Sequence, residues 1–276
     1  MPSFDSSRGR FRLSDDHLAV IGCLTDGDQV RPDLLTAADE LRASRLINSN
    51  GAVSPLLAPL VKTLSEPTVI VRVESLSEQG LMHHGAVVGK HHVFCHEAWP
   101  GDAESEYVQI EPRTLVWALS RMVNLQAVSA APEDVTSFKS DMGVLDDGLK
   151  SLEMISGLPP MEALQHVADS LGTSGRITEP ELSTLAALIV ELRSSWRMTA
   201  AWHGESKGSI GTQVRGFAMW DCGPLGYWHR ESPAEPILPG QVSDETPLQL
   251  TAASPREVWQ MIAEVLPKKG EFSQEE

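Results

Sequence analysis

An α+β fold, with an antiparallel sheet and one unit repeated twice, is what the sequence predicts, and three observations predict it. β-rich segments come in runs that are followed by helical ones, without the strand–helix alternation of a parallel sheet. The same order of segments occurs twice along the 276 residues. Each copy also closes on a helix that opens Pro-Arg and carries Val-Trp, "EPRTLVWALSRMV" and "SPREVWQMIAEVL".

The elements of the two copies run in parallel. Each opens on a short helix, in "LSDDHLAVIGCL" and "LDDGLKSLEMI". Asp15-Asp16 and Asp146-Asp147 are placed in the first turn of these helices, where carboxylates face the positive end of the helix dipole. Pro32 and Pro160 begin the second, amphipathic helix, since a missing N–H costs nothing there. A Gly-x-Val/Ile step follows (Gly51-Ala52-Val53, Gly175-Arg176-Ile177), and a third helix starts near Pro55 and Pro180.

Strands come next, "TVIVRVES" and "WRMTAAWHG", each leading into a polar loop, "LSEQG" or "ESKGS". Two further strand-like stretches follow in each copy, "HHGAVVG" with "HHVFCHEA" and "QVRGFAMW" with "LGYWHRE". The last strands are "EYVQIEP" and "TPLQLTAAS". Pro112 and Pro255 suit the first turn of the closing helices, and Ser254 is a good N-cap. Trp117 and Trp259 occupy matching places there and are expected in the core. The repeats therefore cover about residues 13–125 and 145–266 of a single domain. A linker over 126–144 joins them, and 268–276 reads as a flexible tail.

Composition narrows the function. A net charge of −16 argues against nucleic acid and anionic membranes as partners and favours one with basic flanks. No run of about 18 apolar residues spans a bilayer. The N-terminal stretch lacks the apolar core of a secretory signal. Three cysteines, without CxxC spacing, suit reduced thiols in a cytoplasm.

Several clusters are candidates for chemistry. His83, His84, His91, His92 and His96 are close in sequence, and His84, His92 and His96 form the ligand set of a metal-enzyme alternative. Strand alternation opposes it, because adjacent pairs such as His83-His84 point to opposite faces. "GESKG" (204–208) has the G-x-S-x-G spacing, but it lies between two strands and not at a strand-to-helix elbow. "DCGPLGYWHR" (221–230) reads as a turn and strand, with Cys222 a bystander. Trp202, Trp220 and Trp228 crowd the second sheet where the first copy has Val73, Gly89 and Cys95. That surface either packs a helical bundle or presents a binding face.

Taken together, "FRLSDDHLAVI", "LINSNGAVSPLLAPLVKTLSEPTVIV", "DCGPLGYW" and "LQLTAASPREVWQMIAEVL" resemble the EspG family, the cytosolic chaperones of type VII (ESX) secretion in actinobacteria. The resemblance implies pseudo-two-fold halves, a central antiparallel sheet and flanking helical bundles. It implies a non-enzymatic, cytoplasmic chaperone with no cofactor that covers the apolar helical tip of a PE/PPE-type substrate. In that family a loop between early strands and one sheet face make the contact. Here the loop corresponds to Ser75–Leu81, leading into Met82. The expected partner-binding residues are Leu76, Leu81 and Met82, with Trp220 and Trp228 as apolar anchors on the sheet. A homodimeric interaction module is the third reading.

Overall fold

The computed structural model describes residues 1–126, 136–173, 175–206, 209–231 and 243–272. In the first half, β1 (Ser3–Asp5) and β2 (Arg10–Ser14) precede the helices α1 (Asp15–Asp26), α2 (Leu35–Ala43) and α3 (Ala58–Ser65). The strands β3 (Val69–Ser77), β4 (Gly80–Val88), β5 (Val93–Ala98) and β6 (Glu104–Ile110) follow, then α4 (Leu115–Met122). The second half opens with β7 (Ser137–Asp141), α5 (Met142–Lys150), α6 (Leu152–Ile155), α7 (Pro160–Thr173) and α8 (Glu181–Val190). It continues with β8 (Ser194–Ser206), β9 (Ser209–Asp221), β10 (Tyr227–Arg230), β11 (Pro247–Ala253) and α9 (Pro255–Val265).

Among the described residues these strands form one antiparallel sheet, ordered β1-β2-β6-β5-β4-β3-β8-β9-β10-β11-β7. The order from β2 to β3 is mirrored from β7 to β8, so the two halves meet at the pairing of β3 with β8. That seam runs from Val69 opposite Trp202 to Ser77 opposite Ser194.

Alternation along the strands sends each half's side chains to two faces. On one face Val71, Val73, Met198, Ala200 and Met219 are buried beneath Leu119 of α4 and Ile262 of α9. The other face carries two bundles at its two ends. Helices α1 to α3 pack on Phe11, Leu13, Phe94 and Tyr107. Helices α5 to α8 pack on Phe138, Trp220, Trp228, Leu248 and Leu250. In the middle of this second face no helix among the described residues covers β3, whose residues alternate between buried and exposed.

Several expectations are corrected. The linker assigned to 126–144 overlaps β7 and the start of α5; residues 127–135 lie outside the described residues. β7 is short, and only Phe138 of its five residues is fully buried, so its hydrophobic signal is weak. Asp15 and Asp16 do sit in the first turn of α1, capped by Ser14. Asp146 and Asp147 do not, because α5 begins earlier with Asp141 as N-cap, accepting from Val144 N at 2.9 Å. Asp146 instead pairs with Lys150 at 2.6 Å, one turn on.

The tail is docked as far as Phe272. That residue bridges to Gly204, and the Glu271 carboxylate meets Arg215 at 2.5 Å. Trp117 is not in the core. It is 69% exposed and packs edge-on against Trp259, with ring centroids 4.5 Å apart. The physical reason is local: exposed Arg121, one turn on in α4, and Arg113, in the turn that leads into it, share its outward side.

The closing helix has the predicted capping box, with Ser254 and Glu257 satisfying each other's backbone N–H. Ser254→Ala is expected to cost about 1 kcal/mol. Met198→Ala, at a fully buried position of the seam, is expected to cost about 2–5 kcal/mol. Urea titration of both variants checks this. A smaller loss at Met198 than at Ser254 would mean the seam is not the centre of the fold.

Candidate functional site

The uncovered middle of the sheet, with the β3–β4 hairpin at one end, is the surface that could receive another molecule. β3 runs to Ser77 and β4 starts at Gly80, so the expected loop over Ser75–Leu81 is a tight hairpin and not a long loop. Its pairing sets Leu76 directly opposite Leu81. The same lateral row continues through Ser195 of β8 to Trp220 of β9 and Trp228 of β10. Four of the five sequence-predicted residues thus share one row on one face.

Their environments differ. Leu76 and Leu81 are 54% and 61% exposed, whereas Trp220 and Trp228 are 5% and 0% exposed. The two tryptophans lie under α5 to α8, so their assignment as surface anchors is corrected; Trp228 Nε1 donates to the Leu225 carbonyl at 3.1 Å and packs with Phe138. Met82, half-buried, pairs with Ser75 and therefore faces the opposite side of the sheet from Leu81.

The next row across the sheet holds His83, Glu74, Arg197, Ala218 and Arg230. Beyond it come Gly85, Arg72, Thr199 and Gly216, then Val87, Ile70, Ala201 and Val214. Small residues keep this floor low. Gly85 has to be glycine: a Cβ there would meet the Val71 carbonyl and, at 2.7 Å, His96 Nε2. A depression of about 220 Å³ opens between the rows, lined by Glu74, Leu76, Leu81, Arg197, Trp220 and Arg230. A second, of about 270 Å³, lies on the other side of Leu81 and is lined in part by His96, Tyr107 and Trp99.

Trp99, 51% exposed, was not singled out from the sequence. The signal is the Pro100-Gly101 turn after it, which places an aromatic at an exposed loop.

The histidines do not converge. His84 and His96 lie on opposite faces of neighbouring strands, since His96 is paired with Gly85. His84 Nδ1 accepts from Ala98 N at 3.1 Å, and His92 is bonded to Gln109 at 3.2 Å beyond the end of the ladder. Among the described residues no group of three His, Cys, Asp or Glu side chains could hold a metal. Burial pushes His84 and His229 below the usual imidazole range, and takes His96, stacked on Tyr107, down to about 4.

Burial raises the Cys95 thiol to about 12 and raises Cys222 as well, so neither is a nucleophile at neutral pH. Around Cys222 the "DCGPLGYWHR" stretch is a turn into β10: Asp221 Oδ1 accepts from Gly223 N at 2.9 Å, and Cys222 N donates to Gly226 O at 3.0 Å. "GESKG" begins within β8, in a strand; Lys207 and Gly208 lie outside the described residues. No helix among the described residues is long and apolar enough to cross a membrane.

No family model and no curated protein matches the chain. Among solved structures it is similar to the Mycobacterium tuberculosis type VII secretion system chaperone EspG5, whose structure is in complex with a PE25–PPE41 dimer. The match covers 96% of this chain and 100% of that one, with a TM-score of 0.54 at 14% sequence identity. The two chains share a fold.

Two predictions follow from the buried groups. Under native conditions near pH 8, iodoacetamide should label Cys23 alone, with Cys95 and Cys222 reacting only after unfolding. Mass spectrometry reads this, and native labelling of Cys222 would contradict its placement. For His96, the unfolded chain takes up a proton near pH 6.5 and the fold only near 4. The contribution is therefore complete above 6.5 and is lost as the pH falls towards 4. Melting temperature should drop across that window, and His96→Gln should flatten the drop; an unchanged slope would count against it.

Proposed function

We propose that this protein is a cytoplasmic, non-enzymatic chaperone of type VII secretion that holds a PE/PPE-type helical substrate on its open sheet face. The observation that carries the reading is the full-length likeness of fold to a chaperone of that system, over 96% of this chain and 100% of the other. The surface found here supports it. A long secreted helical hairpin has an apolar tip that needs cover until export, and a face between two bundles can provide it. Leu76, Leu81 and Trp99 supply exposed apolar surface around one end of that face, and Ile70 and Val214 lie further along it.

Chemistry of this kind needs no cofactor. The chaperone contributes a preformed surface, and its net charge of −16 keeps the free state from associating through its own exposed leucines. Leu76 and Leu81 are cross-strand neighbours, so a polar group at either disrupts one continuous apolar contact.

Co-expression of the tagged chain with a panel of PE–PPE-type heterodimers tests the reading. A soluble complex should persist through gel filtration. Leu76→Asp and Leu81→Asp should each weaken capture by at least about tenfold, without changing the melting temperature of the free protein. Retention of no heterodimer by the folded chain, or capture indifferent to both substitutions, would overturn it.

A further inference from the structure

The apolar row explains why a helical tip would settle at Leu76 and Leu81, but not the charges beside it. Arg72, Arg197 and Arg230 lie on the same open face in the adjacent rows, and Glu74 is the acid that accompanies them there. Three cations against one anion make this patch positive on a chain whose net charge is −16.

None of the three arginines forms an ion pair among the described residues. Arg230, half-buried, donates to the Met142 sulfur at 3.2 Å. Burial, and then the charge of Arg197, pull its guanidinium below its ordinary range, so the two cations are close enough to oppose each other.

Resting on the reading of this face as the partner site, we infer that it recognises a carboxylate on the partner's helical tip, held between Arg197 and Arg230 over Ala218. Arg197, Ala218 and Arg230 sit on three successive strands of one row. At about 4.8 Å between strands, the two arginine Cα atoms are roughly 10 Å apart. Their side chains are long enough to converge above the small Ala218, and the depression lined by Arg197, Arg230, Leu76 and Leu81 leaves room for them to do so.

Guanidinium pairs bind carboxylates in planar, bidentate fashion, which fixes orientation as well as adding affinity. The spacing also suits a helix. Ala218 is two strands across from Leu76 and one same-face step of about 6.8 Å along, roughly 12 Å away, and two helical turns rise about 10.8 Å. A tip that sets apolar residues on Leu76 and Leu81 therefore places an Asp or Glu two turns away near the arginines. An acidic chaperone repels most acidic segments, so a local cationic patch selects the one that also fits the apolar row. The partner expected from net charge alone, one with basic flanks, is thus refined to one with an acidic tip.

Helical peptides of about twenty residues, with two leucines one turn apart and Glu, Gln or Lys two turns further on, provide the probe. Fluorescence polarisation should give the Glu peptide an affinity at least about tenfold above the Gln peptide, with the Lys peptide weakest. Arg197→Gln and Arg230→Gln should each erase the preference, and Arg197→Glu should shift it towards Lys, which a loss of folding would not produce. Equal binding of the Glu and Gln peptides, with Leu81→Asp still abolishing both, would overturn the carboxylate while leaving the chaperone reading intact. Binding of none of the three would overturn both.

Discussion

The pairing of β3 with β8 is the constraint on which the rest of the structure depends. It joins two half-sheets in one antiparallel ladder, nine residue pairs long from Val69–Trp202 to Ser77–Ser194. Because side chains alternate, a single register decides both faces at once. Val71, Val73, Met198 and Ala200 go under α4 and α9; Ile70, Arg72, Glu74 and Leu76 go to the other side. Each half brings its own bundle to the outer strands of that other side, so among the described residues the seam, furthest from both, is left bare. A one-residue slip would bury the arginines and expose the core.

A bare sheet centre is a liability, since exposed apolar rows invite association. Charge limits it here. The chain as a whole is strongly acidic, and the open face mixes leucines with arginines instead of presenting an uninterrupted apolar patch. The ladder itself is covered on both sides by further strands, so its backbone groups are satisfied and only side chains are on offer. The outer aromatic pair, Trp117 with Trp259, lies on the other side of the sheet, on the helices that cover the seam.

Much of this was legible in the residues. Segment order, the paired prolines and the Pro-Arg…Val-Trp helices point to the α+β class, and the reversal between Ser77 and Gly80 falls inside the loop expected over Ser75–Leu81, although the strands run further into it. Other features depend on contacts between elements that no local pattern encodes. Trp220 and Trp228 look like surface anchors until α5 to α8 are seen to cover them, and their place in the row of Leu76 and Leu81 comes only from the register. β2 and β7 are five residues each, too short to stand out, although Phe11 and Leu13 alternate with Arg10 and Arg12. The arginine patch needed the register of β8, β9 and β10, which brings together residues 197, 218 and 230.

Hydroxyl-radical footprinting of the protein with and without a captured PE–PPE-type heterodimer tests the central claim most directly, because it reads side chains on every face in one experiment. The account predicts protection of Leu76, Leu81 and Trp99 on binding, with Trp117 on α4 and Met161 on α7 still oxidised as in the free protein. Protection at Trp117 or Met161, with Leu76 and Leu81 unchanged, would contradict it.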